Sequence, residues 1–81
     1  MAGQKPQKAF VFLNSETGKD GKILKKIRKM KGVKWAYLVY GVYDLIVCID
    51  FENIDELKRT IMKDIRAIDG VRSILTTIVI D

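Results

Sequence analysis

One carboxylate in this chain stands where it could hold a small ligand. It is Asp44, three residues after Gly41 in Tyr37-Leu38-Val39-Tyr40-Gly41-Val42-Tyr43-Asp44-Leu45-Ile46-Val47. A small ligand with a cationic group is met by an anion beside exposed backbone donors. Asp44 is the anion. Gly41, having no Cβ, lets a ligand come close to peptide N–H groups. Both residues also have a plainer reading: Asp44 as a turn-flanking carboxylate bonded to its own hairpin, and Gly41 as turn geometry.

Other chemistries find little here. The chain has no histidine and a single cysteine, Cys48. That removes the commonest general base, the usual zinc spacings and a Cys–His nucleophile. No paired carboxylates and no phosphate-cradling glycine loop occur, so no catalytic residue, metal or cofactor is expected, and the protein is not read as an enzyme. Cys48 sits in an apolar run and reads as a buried thiol in a reducing cytosol. Trp35 and the tyrosines read as core and interface.

The elements that must position Asp44 follow from the apolar pattern. Two β-rich runs meet at Gly41, and a two-residue loop with Gly first is the composition of a type II′ hairpin. Gly41-Val42 is the expected tip, with Tyr40 facing Tyr43 and Leu38 facing Leu45. Upstream, residues 1–7 form a polar, flexible tail, and 8–81 a single domain. Lys8 to Leu13 reads as a strand. Ser15 is a plausible cap for a helix running to about Met30, whose apolar side is Ile23, Leu24, Ile27 and Met30, with Gly32 as its αL stop. Val33 to Tyr40 and Tyr43 to Phe51 are the central strands. Asn53, with Glu56 three residues on, makes a capping box for a second helix carrying Ile54, Leu57, Ile61, Ile65 and Ile68. Gly70 ends it, and Val71 to Ile80 form the last strand.

A shift of 38 residues aligns the two halves: Leu13 falls on Phe51, Ser15 on Asn53, Ile23 on Ile61, Ile27 on Ile65, and Gly32-Val33-Lys34 on Gly70-Val71-Arg72. Two βαβ units written in tandem give an α+β, ferredoxin-like βαββαβ sandwich, a four-stranded antiparallel sheet with two helices on one face.

The other sheet face should then turn polar, and it does not. Phe10 and Phe12 alternate with Ala9, Val11 and Leu13; Ile46 and Cys48 alternate with Leu45, Val47, Ile49 and Phe51; Val71, Leu75 and Val79 alternate with Ile74, Ile78 and Ile80. A patch of that size exceeds what soluble monomers usually tolerate. Burying roughly 700 Å² per subunit at about 25 cal/mol/Å² gives a gross term above 10 kcal/mol, reduced by association entropy. The second face is expected to pack on another sheet across a two-fold axis, giving a dimeric α/β-barrel-like assembly.

Charge is segregated along the chain. The net charge is +5. Lys19, Lys22, Lys25, Lys26, Arg28, Lys29, Lys31 and Lys34 accompany one acid, Asp20, whereas Asp44, Asp50, Glu52, Asp55 and Glu56 form an acidic stretch. Opposite patches can meet between subunits as readily as they meet phosphate. No apolar run approaches the roughly 20 residues of a membrane helix, and no leader segment is recognisable. A cytoplasmic protein with no membrane partner is expected.

In order along the chain, Gly-x-Tyr-Asp at the hairpin and Ile68-Asp69-Gly70-Val71-Arg72-Ser73-Ile74-Leu75-Thr76-Thr77-Ile78-Val79-Ile80 resemble the RAM domain, the effector-binding half of Lrp/AsnC transcription regulators. The resemblance spans Lys8 to Ile80. It implies dimers assembling into rings, with amino-acid effectors bound between dimers near the hairpin tips. Gly41 and Asp44 match the family's glycine and aspartate, and Thr76 matches a strand threonine near the ligand whose hydroxyl would join them, although it also reads as an ordinary strand position. Tyr40, Val42 and Tyr43, their neighbours at the tip, complete the expected ligand-binding set. Tyr40 departs from the small hydroxyl residue common before the glycine, and Ile74 replaces a frequent threonine; both imply a bulkier, less polar pocket. Only about seven residues precede the first strand, so the resemblance implies a stand-alone RAM domain acting through a regulator of the Lrp/AsnC type, with direct nucleic-acid contact not expected. The alternatives are a basic-surface nucleic-acid-binding protein of the same fold, or an ACT-type regulatory subunit.

Overall fold

A computed structural model describes residues 7–80. The tail expected over 1–7 lies outside them except for Gln7, which opens the first strand. The strands are β1 (Gln7–Ser15), β2 (Val33–Leu38), β3 (Leu45–Phe51) and β4 (Val71–Ile78); the helices are α1 (Asp20–Arg28) and α2 (Ile54–Arg59), the latter continued by a π-helical segment, Thr60–Ile65. The sheet order is β2-β3-β1-β4, every pair antiparallel. This is the expected ferredoxin-like α+β fold.

Strand alternation sorts the side chains onto two faces. Ala9, Val11 and Leu13 from β1, Ala36 from β2, and Leu45, Val47, Ile49 and Phe51 from β3 are buried together with Ile23 and Ile27 of α1 and Leu57, Ile61, Ile65 and Ile68 of the second helical layer. Phe10, Phe12, Ile46, Cys48, Trp35 and Tyr37 share the face without helices, as their cross-strand pairing requires. Rings run diagonally across it, Phe12 to Tyr43 at 5.4 Å, Phe10 to Trp35 at 5.8 Å and Trp35 to Tyr37 at 5.4 Å between centroids.

The repeat seen in the sequence extends to irregularities. Gly32 and Gly70 both have positive φ, 90° and 100°. Each is followed by a valine and then an extra residue: the register slips at Lys34 between Val33 and Trp35 of β2, and at Arg72 between Val71 and Ser73 of β4. These bulges bend the two edge strands at equivalent points. In β4 the slip overturns the simple alternation, because Val71 joins Ile74 against the core while Leu75 faces the open side opposite Phe12.

Two local expectations are corrected. Ser15 does not cap α1; it is the last residue of β1, and the helix starts five residues later behind Lys19, whose side chain makes no cap. The reason is Asp44, which captures the Ser15 N–H and hydroxyl. The second helix also does not stay α-helical. Leu57, Ile61 and Ile65 recur every fourth residue, which overshoots a 3.6-residue turn and would walk round an α-helix. Widening to π geometry, seen in Arg66 N–H donating to the Ile61 carbonyl at 3.0 Å, returns all three to the core side.

Asn53 is the expected cap: its Oδ1 accepts from the Glu56 N–H at 2.9 Å, while Glu56 Oε1 accepts from the Glu52 N–H at 3.0 Å. Asn53→Ala is expected to lower stability by about 1 kcal/mol, read as a lower urea midpoint at unchanged slope.

Candidate functional site

The β2–β3 connection is wider than a two-residue hairpin. Leu38 faces Leu45 as expected. The loop closes beyond them where the Val39 N–H donates to the Asp44 carbonyl at 2.8 Å, leaving Tyr40 to Tyr43 outside the ladder. Tyr40 and Tyr43 are not a strand pair, because Tyr43 turns onto the Phe12 ring of β1. Gly41 has φ +150°, far from the +60° of a type II′ first position, and a Cβ there would meet nothing within 4 Å. The backbone angle, not crowding, is what favours glycine.

Asp44 is locked to β1. Its N–H donates to the Leu13 carbonyl at 2.8 Å; its Oδ2 accepts from the Ser15 N–H at 2.8 Å and the Ser15 hydroxyl at 3.3 Å. Both side-chain bonds fall on one oxygen. The carboxylate therefore ties the end of β1 to the loop and still offers an acceptor edge. Sequence reasoning missed Ser15 as this partner; the signal was the Asn14-Ser15 pair directly after the first apolar run. Asn14 is engaged too, donating to the Ser73 hydroxyl at 3.0 Å.

The remaining site residues are spread out. Tyr40 is fully exposed at 107 % and Val42 is 83 % exposed; Tyr43 is half-buried. Thr76 lies on β4 opposite Val11, with β1 between it and β3. Two strand spacings are about 10 Å, so one chain does not bring Thr76 to Asp44. Tyr40, Gly41, Val42, Tyr43 and Asp44 are gathered at one end of the sheet, and they face outward rather than enclosing a volume.

A cavity of about 480 Å³ lies at the opposite end of β3, lined by Lys31, Asp50, Glu52, Glu56, Arg59 and Asp64 among others. Two of its carboxylates already serve the fold: Asp50 is paired to Lys8 at 3.2 Å and Lys34 at 3.7 Å, and Glu56 completes the helix cap. Elsewhere Lys19 joins α1 to the turn before β4. Its hydrogen bond to Asp69, 2.7 Å, holds that carboxyl below the usual range and raises the Lys19 ammonium. Burial pushes the Cys48 thiol up, which keeps it protonated and unreactive. Arg28 was not anticipated either: Nε and Nη2 both donate to the Ala36 carbonyl, at 3.0 and 2.7 Å, covering part of the β2 edge.

Among the described residues no helix is long and apolar enough to cross a membrane. The profile of the Lrp/AsnC ligand binding domain matches residues 8–81. The transcriptional regulator LysM of Sulfurisphaera tokodaii is 41 % identical over 58 residues, covering 72 % of this chain and 41 % of that protein. The crystal structure of FFRP-DM1 superimposes with a TM-score of 0.87 at 34 % identity, covering 91 % of this chain and 99 % of that one. The hypothetical protein PHS023 from Pyrococcus horikoshii gives 0.86 at 34 % identity, covering 91 % and 89 %. The chain spans less than half the length of the curated regulators it matches. Matched by that profile over nearly its whole length, and folded as the same βαββαβ sheet, this chain belongs to the Lrp/AsnC ligand binding domain family.

Proposed function

We propose that the domain binds a small zwitterion, an amino acid foremost, at sites completed between subunits. Its occupancy then regulates transcription or amino-acid metabolism through a partner regulator of the same family, in the cytoplasm and without catalysis. The observation that carries this is the Asp44 end of the sheet: a carboxylate anchored by one oxygen to Ser15, beside an outward loop that no second element of the same chain covers. An ammonium meets the remaining acceptor edge of Asp44, and the ligand carboxylate meets loop N–H groups near Gly41. Membership of a ligand-binding family supports the reading. The gap between Asp44 and Thr76 supports a site built from two copies, with Thr76 arriving from a neighbour. Pairing of the open sheet faces makes the dimer, and contacts through the exposed Tyr40–Val42 loops make the ring.

Calorimetry over the proteinogenic amino acids tests it. At least one is expected to bind with heat, and Asp44→Asn, which keeps an oxygen for Ser15 and removes the charge, is expected to lose at least tenfold in affinity with its fold intact. A flat panel, or an unchanged Asp44→Asn, overturns the site. Asp44→Ala is expected in addition to lower stability by about 1–3 kcal/mol, because the Ser15 N–H loses its acceptor.

A further inference from the structure

Four lysines are crowded on one helix of this protein and its C-terminal cap: Lys22, Lys25, Lys26 and Lys29. On α1 the core side is Ile23 and Ile27. Lys22, Lys25 and Lys29 stand opposite, within about 60° of one another and along about 10 Å of axis at 1.5 Å per residue. Lys26 turns toward the second helical layer and lines the groove between the two, with Lys63 of the π-helical segment, Met30, Ala67 and Ile68; Asp64 is the carboxylate there. Among the described residues none of Lys22, Lys25, Lys26, Lys29 and Lys63 takes part in an ion pair; the pairs that form use Lys8, Lys19 and Lys34. Like charges at Lys22/Lys26 and Lys25/Lys29 each cost a few tenths of a kcal/mol in an isolated helix, so the arrangement is not there for the helix's own sake.

We infer that the helix layer is a contact surface for the phosphate backbone of double-stranded nucleic acid, read without regard to sequence. The chemistry separates this partner from an acidic protein. Protein interfaces are centred on aromatic residues and depleted in lysine. All seven aromatic residues here lie on the open sheet face, in the core or in the β2–β3 loop, and the helix layer has none. What α1 offers is point charge in a row, whereas the second helix mixes Asp55, Glu56 and Asp64 with Lys58, Arg59 and Lys63; a duplex laid along α1 carries one negative charge per about 1.7 Å of axis. The mode is distinct from stacking bases on an open sheet, which would need the aromatic face. It is independent of the amino-acid site, which lies at the loop end of the sheet. Pairing of the open faces would leave the helix layers outermost.

The whole chain is titrated against a fluorescent random-sequence duplex by anisotropy, over a range of salt from about 50 to 200 mM. Five phosphate contacts correspond to a log–log slope of about −4 to −5. Lys22→Gln/Lys25→Gln/Lys29→Gln is expected to flatten the slope by about 3 and to weaken binding more than tenfold. Lys8→Gln/Lys34→Gln/Arg72→Gln, which removes equal charge from the sheet, is expected to retain most of the affinity. Circular dichroism checks that both variants are folded. Absence of wild-type binding at low salt overturns the inference, and so do equal losses in the two variants, which would mean net charge alone. Displacement of the duplex by polyglutamate as effectively as by unlabelled duplex also overturns it, in favour of an acidic polypeptide.

Discussion

Ile46→Asp is expected to turn an oligomer into a folded monomer of 9.3 kDa. Ile46 sits at the centre of the face without helices, between Phe12 of β1 and Tyr37 of β2. It is half-exposed in the single chain, so an aspartate there keeps access to water and the helix-side core is untouched. In a dimer of facing sheets the same carboxylate loses its water and gains no partner. An uncompensated buried charge costs about 3–5 kcal/mol, and a two-fold dimer contains two. Each 1.4 kcal/mol is tenfold, so the dissociation constant is expected to rise at least a thousandfold. Light scattering at micromolar concentration reads the mass, with Ile46→Val expected to match the wild type. A wild-type chain that runs as a monomer, or an Ile46→Asp chain that keeps the full assembly, removes the facing-sheet arrangement and with it the two-copy ligand site.

The second large effect belongs to the other face. Phe51 is the largest of the fully buried side chains, 1 % exposed at the end of β3. Phe51→Ala deletes a whole ring from the core and leaves a cavity that rigid strand and helix backbones cannot close, a change that costs about 3–5 kcal/mol. A domain this small holds roughly 4–12 kcal/mol in total at 0.05–0.15 kcal/mol per residue. Removing that share is expected to lower the midpoint of thermal unfolding by more than about 12 °C, since 1 kcal/mol is worth about 4–8 °C in a domain of this size. Tyr40→Ala, in the fully exposed loop, is expected to change stability by less than about 0.5 kcal/mol. Both are measured at one protein concentration, because assembly contributes to apparent stability. Comparable midpoints for the two variants would mean that the helix-side core does not hold the fold.

The two variants read the two faces of one sheet, and the alternation that separates those faces was legible in the chain. A period of two in Ala9 to Leu13 and Leu45 to Phe51 fixes which side chains share a face whatever the strand neighbours are. The internal repeat was legible for the same reason: glycine followed by valine and a cation marks equivalent positions in both halves, and both become bulges. The capping box at Asn53 rests on contacts three residues apart and needs no tertiary information.

What failed was decided by contacts between distant segments. Ser15 has the composition of a helix cap, yet Asp44, 29 residues away, takes its N–H and hydroxyl and keeps it in β1. Gly41-Val42 has the composition of a two-residue turn, yet the Tyr43 ring on Phe12 and the Asp44 anchor draw the loop toward β1 and open it. The grouping of Asp44 with Thr76 came from resemblance, and β1 separates them within one chain. Composition and periodicity determined this protein's layers, the succession of its elements and the two apolar faces of its central strands, because those depend on side-chain spacing along each element. Tertiary structure alone decided the loop width, the partner of Asp44 and the π turn, because each is settled by which of several competing local arrangements a distant strand or the core rewards.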